Sequence, residues 1–146
     1  MEPIVCLDPA RKGGTTQLKL SEIKKVLKAE VIVGHKYLSR AVVAGVSSDL
    51  MSDLLIGPTA NAVLLTGLNN VQVVKTAVVA GISAVVLVRG KRPTPDMIQH
   101  AQEQELPLMA TPFTMFSACG RLFSLGLRGV ETKIVKTSQI EGTAGG

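Results

Sequence analysis

Three short segments hold the residues whose types and spacing could bind a ligand. Thr66-Gly67-Leu68-Asn69-Asn70 combines a hydroxyl, an open backbone and two side-chain amides. Arg89-Gly90-Lys91-Arg92 gathers three cations around a glycine, and Thr111-Pro112-Phe113-Thr114 adds two hydroxyls. Backbone N–H groups at Gly67 to Asn70, aimed from a helix start beside guanidinium and ammonium groups, are the ingredients of an anion site. The ligand such a set would take is phosphate-bearing, a nucleotide being one example. The ligand-binding candidates are therefore Thr66, Gly67, Asn69, Asn70, Arg89, Gly90, Lys91, Arg92, Thr111 and Thr114. The other reading of the Arg89 loop is a simple turn whose charges stay in water or on a partner.

Catalytic templates find little to hold. There is no Gly-x-Ser-x-Gly elbow, no Gly-x-Gly-x-x-Gly turn and no Gly-x-x-x-x-Gly-Lys loop. His35 and His100 read as surface histidines. Cys6 and Cys119 stand far apart with no C-x-x-C or H-x-x-x-H pair, so neither a metal nor a cofactor is expected. Cys119 reads as a small buried hydrophobe in a helix, and Cys6 as a free thiol in a mobile end. Asp49 and Asp53, four apart, read as first-turn acids of a helix rather than as an acid/base pair. No catalytic residue is named, and the chain is expected not to be an enzyme.

The elements that must position these loops follow from the apolar pattern. Ala62-Val63-Leu64-Leu65-Thr66-Gly67, Ala84-Val85-Val86-Leu87-Val88 and Leu108-Met109-Ala110 are short apolar runs bounded by Gly or Pro. They read as buried parallel strands joined by crossover helices, so the three candidate loops gather at the C-terminal edge of one sheet, where ligands usually sit. Asn70 caps a helix through Ala80 that is expected to turn Val71, Val74, Ala77 and Val78 inward and Gln72, Lys75 and Thr76 outward, with Gly81 closing it. Thr94-Pro95 starts the next helix ahead of Met97, Ile98 and Ala101. The last helix, from about Thr114 to Gly126, is expected to bury Met115, Phe116, Cys119, Leu122 and Phe123.

Upstream, Leu20, Ile23 and Leu27 mark one face of a short helix with its lysines outward. Val31–Val33 and Ala41–Val46 read as strands, and Ser47-Ser48-Asp49 supplies N-caps for a helix through Leu55. The fold class expected is α/β, a three-layer α/β/α sandwich with a mainly parallel central sheet. It occupies residues 18–127, between an N-terminal extension (1–17) and a C-terminal tail (128–146) that is expected to fray. Gly13-Gly14-Thr15-Thr16 lacks the preceding strand and the lysine of a phosphate loop.

A formal charge of +5 raises the question of nucleic acid, and the distribution argues against it. Eight of the cations, from Arg11 to Arg40, load the N-terminal third, and Lys75 is the sole base between Ala41 and Val88. With one Tyr, no Trp and three Phe that look like core, aromatic platforms for base stacking are missing. Nothing approaches the roughly 18 apolar residues of a membrane span, and no leader opens the sequence. No nucleic acid and no membrane are expected as partners, and a cytoplasmic location is the default.

The ordered motifs Leu64-Leu65-Thr66-Gly67, Ala77-Val78-Val79-Ala80-Gly81-Ile82-Ser83-Ala84-Val85-Val86-Leu87-Val88-Arg89-Gly90, Arg92-Pro93-Thr94-Pro95 and Leu106-Pro107-Leu108-Met109-Ala110-Thr111-Pro112-Phe113-Thr114-Met115-Phe116 resemble the DRTGG domain family. The likeness runs from about Leu18 to Leu127. The string Asp-Arg-Thr-Gly-Gly itself does not occur; Leu68-Asn69-Asn70 and Val88-Arg89-Gly90-Lys91 stand in the corresponding loops. Such domains are similar to the N-terminal domain of HPr kinase/phosphorylase and also occur in some phosphate acetyltransferases and certain inorganic pyrophosphatases. The resemblance implies an α/β/α sandwich, self-association and a regulatory role. It also implies, for stand-alone versions, a protein partner linked to anaerobic redox metabolism. Val79, on the outer side of its helix, agrees with a homodimer. The function expected is thus a non-enzymatic regulatory or scaffold domain, with a sensor of a phosphate-bearing small molecule as the alternative.

Overall fold

The structure, a computed structural model, describes residues 17–130. The expectations for Cys6, the Gly13–Thr16 segment and most of the two terminal segments lie outside the described residues. The main sheet has five strands in the order β2 (Glu30–Val33), β7 (Leu108–Ala110), β6 (Ala84–Leu87), β5 (Ala62–Thr66) and β4 (Ala44–Ser47). β4, β5, β6 and β7 run parallel, and β2 is antiparallel to β7. Every residue of β5, β6 and β7 is buried. A strand covered on both faces has no polar side to alternate with, which is why these three read as unbroken apolar runs.

Helices cover both faces. α1 (Leu20–Leu27) and α4 (Met115–Ser124) pack over Val63, Leu65, Val86 and Met109. On the other face α2 (Val71–Ala80) and α3 (Pro95–Glu103) pack over Leu64, Val85, Leu87 and Leu108. The chain is therefore the three-layer sandwich expected. The caps hold as well: Asn70 Oδ1 accepts from Gln72 N–H at 3.0 Å, and Thr94 and Thr114 Oγ1 accept from Met97 and Ser117 N–H at 3.2 Å each. Each of these contacts satisfies an amide that the helix itself leaves open. Gly81 closes α2 at φ +78°, a conformation glycine adopts without strain.

Four expectations are corrected. Ala41–Val46 is not one strand: β3 (Ala41–Val42) pairs with β1 (Leu18–Lys19) in a separate two-stranded sheet, and β4 begins only after Val43 donates to Asn61 O at 3.0 Å. The segment after Ser47-Ser48-Asp49 is a 3-10 helix, Met51–Leu55, preceded by Leu50 and without a side-chain cap. In α2 the buried residues are Val73, Val74, Thr76 and Ala77, while Val78 faces out. In α4 the buried residues are Ala118 and Leu122, with Met115 and Cys119 half-buried against the core. Phe116 is 89% exposed and Phe123 40%, so two of the three phenylalanines are not core. Val79 is 76% exposed, as expected. Among the described residues no helix is long and apolar enough to cross a membrane.

Candidate functional site: the three-loop edge

Parallel alignment of β5, β6 and β7 brings the loops that follow them to one edge of the sheet, and hydrogen bonds tie them together. Arg89 N–H donates to Phe113 O at 2.7 Å, and Gly90 N–H to Thr111 O at 2.9 Å, joining the second loop to the third. Asn69 Nδ2 donates to Arg92 O at 2.9 Å, joining the first to the second. Arg89 and Gly90 both take left-handed backbone, φ 60° and 70°, which turns the chain sharply after β6. The buried Thr111 hydroxyl reaches Leu27 O at 2.6 Å and accepts from Phe113 N–H at 3.3 Å, so this loop is also fastened to the end of α1.

Asp49 is the residue that sequence reasoning misplaced. It lies ahead of the 3-10 helix, and its Oδ1 accepts from Gly67 N–H at 2.7 Å and from the Thr66 hydroxyl at 3.0 Å. Thr66 Oγ1 in turn accepts from Leu68 N–H at 3.2 Å. The amide expected to face a ligand is thus already paired with a carboxylate. A Cβ on residue 67 would stand 3.0 Å from Arg89 Nη2 and 3.6 Å from both Asp49 oxygens, so glycine lets the guanidinium lie against the loop. No spacing in the sequence links Asp49 to Gly67, because the contact crosses between two loops.

The other candidates divide by what they touch. Asn70 and Thr114 are helix caps, and Asn69 and Thr111 are braces between loops. Arg92 forms a two-pronged ion pair with Glu30, Nη1–Oε1 2.8 Å and Nη2–Oε2 3.3 Å, which sequence reasoning missed. Arg89 and Lys91 have no carboxylate within ion-pair distance among the described residues. They are the cations left available at this edge. Among the described residues no group of His, Cys, Asp or Glu is arranged to hold a metal.

The Arg92 hydrogen bonds, reinforced by its charge, hold the Glu30 carboxyl below the usual range. A carboxyl whose folded-state value is depressed contributes stability above its unfolded value and loses it as pH falls through the folded one. Both partners are exposed, so the effect on stability is small. The site-specific signal is clear all the same: in an NMR titration Glu30 should titrate below the ordinary glutamate value, and Arg92→Ala should raise it back toward that value.

Comparison with known proteins bears on this fold. The DRTGG domain model matches residues 22–125, more than half of the chain. The chain belongs to the DRTGG domain family. A comparison with curated proteins gives no match. Among solved structures, the DRTGG chain is similar to the crystal structure of the CBS and DRTGG domains of the regulatory region of Clostridium perfringens pyrophosphatase, complexed with its activator, diadenosine tetraphosphate. The TM-score is 0.62 at 19% identity, covering 79% of this chain and 50% of that one. The DRTGG chain thus spans half the length of that region, and the likeness is one of fold.

Proposed function

We propose that this DRTGG domain is a non-enzymatic regulatory or scaffold module that pairs with a second copy and contacts other proteins. The observation that carries the reading is a patch of large apolar side chains left outside a filled core. Both faces of the sheet are already covered, yet Leu55 at the end of the 3-10 helix, Ile56 just after it and Val79 on α2 remain exposed, the 3-10 helix and α2 being packed against each other. Such a surface calls for a cover from outside, and a symmetric copy is the commonest one. The same two elements carry one acid, Asp53, and one base, Lys75, neither ion-paired among the described residues. Opposite charges on one patch suit an interface that meets itself. Light scattering at tens of micromolar tests the pairing: twice the chain mass is expected, and the chain mass alone rejects it. We place the module in a reducing, cytoplasmic setting.

A second reading, a sensor of phosphate-bearing ligands, is favoured by Arg89 and Lys91, which form no ion pair among the described residues and lie in the loop that Asn69 braces. The regulatory region of similar fold is bound to a nucleotide polyphosphate, which points the same way. A ligand that binds only the folded chain at about 100 times its dissociation constant adds about 2.7 kcal/mol. Millimolar phosphate compounds should then raise the melting temperature of the wild type and not that of Arg89→Ala/Lys91→Ala. A wild-type melting point that no phosphate compound moves removes the sensor reading and leaves the pairing reading intact.

A further inference from the structure

The second exposed apolar surface lies on α4, on the opposite face of the sheet from α2. Phe116, Gly120 and Phe123 fall at i, i+4 and i+7, one line along the helix. Phe116 stands out into solvent, and a Cβ at Gly120 would meet nothing within 4 Å. The seam therefore has a bare aromatic ridge at Phe116 and a half-covered one at Phe123, under the Arg128 guanidinium, with a low point between them where another backbone could approach closely. Beside Phe123 it opens into a cavity of about 160 Å³ lined by Gly45, Leu65, Cys119, Leu122 and Leu127, with Arg128 also on its wall. Gly45 lets Leu127 pack closely at this wall, since a Cβ there would stand 3.2 Å from Leu127 Cδ2.

Charge fixes the kind of partner. α4 carries no carboxylate; its one charged residue is Arg121, and Arg128 follows just beyond its end. α1, packed beside α4, adds Lys24 and Lys25, while its one acid, Glu22, is occupied by Lys19 N–H at 2.8 Å. A second copy would oppose like charges here, which disfavours self-pairing on this face. Nucleic acid is also a poor fit. The Arg121 guanidinium sits 4.1 Å from the Phe113 ring centroid and that of Arg128 4.0 Å from Phe123, so Phe116 alone is a bare ring, whereas stacking of successive bases needs several.

We infer that the α4 face docks an acidic amphipathic helix of a partner protein, one apolar side chain of which seats in the cavity beside Phe123. Two features correspond to the two halves of such a ligand. The seam and cavity take its apolar stripe, and the flanking arginines and lysines take its carboxylates. The inference deepens the reading that this module contacts other proteins, and it does not depend on the pairing through α2.

The test is a selection from a displayed library of helical peptides against the full chain, followed by anisotropy titrations of the winners on wild type, Phe116→Ala and Arg121→Glu. Both replaced side chains are exposed, and circular dichroism checks that each variant keeps the fold. Enriched peptides should be amphipathic and acidic, and each substitution should weaken them by about tenfold or more, as for an anchor residue of an interface. The proposal is overturned if nothing is enriched over the bare support, if the winners are neutral or basic, or if their affinity is unchanged by Phe116→Ala. Binding of an oligo-dT strand that depends on Phe116 overturns it in favour of nucleic acid. Conversion of a dimer to a monomer by Phe116→Ala overturns it in favour of a second copy. A wild type that is monomeric from the start removes the α2 pairing and leaves this experiment readable.

Discussion

Ile56→Glu combined with Val79→Glu yields a folded monomer. In the pairing proposed through α2 and the 3-10 helix, the two substitutions place four carboxylates at the centre of a symmetric interface, two from each copy. Each loses its apolar contact, and each must be stripped of water or held away from it. The dissociation constant should rise by about a thousandfold, roughly 4 kcal/mol, enough to abolish the dimer at tens of micromolar. The monomer itself should be nearly unaffected, because both side chains are more than three quarters exposed and surface substitutions typically change stability by about 0.5 kcal/mol or less. Light scattering and urea denaturation on the same sample separate the two outcomes. A double variant that keeps the wild-type mass places the interface elsewhere.

Asp49→Ala should cost stability rather than assembly. The carboxylate accepts two hydrogen bonds, from the Gly67 amide and from the Thr66 hydroxyl, and both donors belong to buried residues. Hydrogen bonds to a charged group contribute about 1.5 to 3 kcal/mol, and truncation leaves a buried amide without its partner. We expect a loss of about 2 kcal/mol, seen as a lower urea midpoint with an unchanged slope. Asp49→Asn, which keeps one acceptor oxygen, should lose less. If Asp49→Ala denatures at the wild-type midpoint, the contact contributes nothing and the carboxylate is a bystander.

The parts of this molecule that were legible in the sequence are those set by short-range pattern. The buried strands Ala62–Thr66, Ala84–Leu87 and Leu108–Ala110 declare themselves because full burial demands apolar residues without alternation. Asn70, Thr94 and Thr114 were recognisable as caps because capping is a contact within one helical turn. Direction was the weaker point. In α4 apolar residues occur on both sides of the helix, so composition alone did not decide between the buried Ala118–Leu122 side and the exposed Phe116–Phe123 side. In α2 Thr76 is buried while Val78 points out, so hydrophobicity alone does not give the buried side of that helix. The exposure of Phe116 and Phe123 also removes part of the ground on which the sequence set nucleic acid aside.

Long-range contacts between loops were not legible at all. Neither Asp49 at Gly67 nor Glu30 at Arg92 follows from any spacing, because each joins segments that only the folded sheet brings together. Of the ten candidate residues, the structure turns Asn70 and Thr114 into caps and Asn69 and Thr111 into braces. Arg89 and Lys91 are the side chains on which a ligand-binding role at this edge now rests.

The layering of the sandwich has a consequence for how the module would act when paired. α2 and α4 lie on opposite faces of the same sheet, so a twofold pairing through α2 leaves the two α4 seams pointing outward, away from each other. Such a particle is bivalent by construction. It can bridge two copies of a partner, or grip one dimeric partner at both seams with an avidity that exceeds the strength of either contact, provided the spacing fits. Control over pairing would then be control over retention: dissociating the module would release its client without altering a single atom of the surface that holds it.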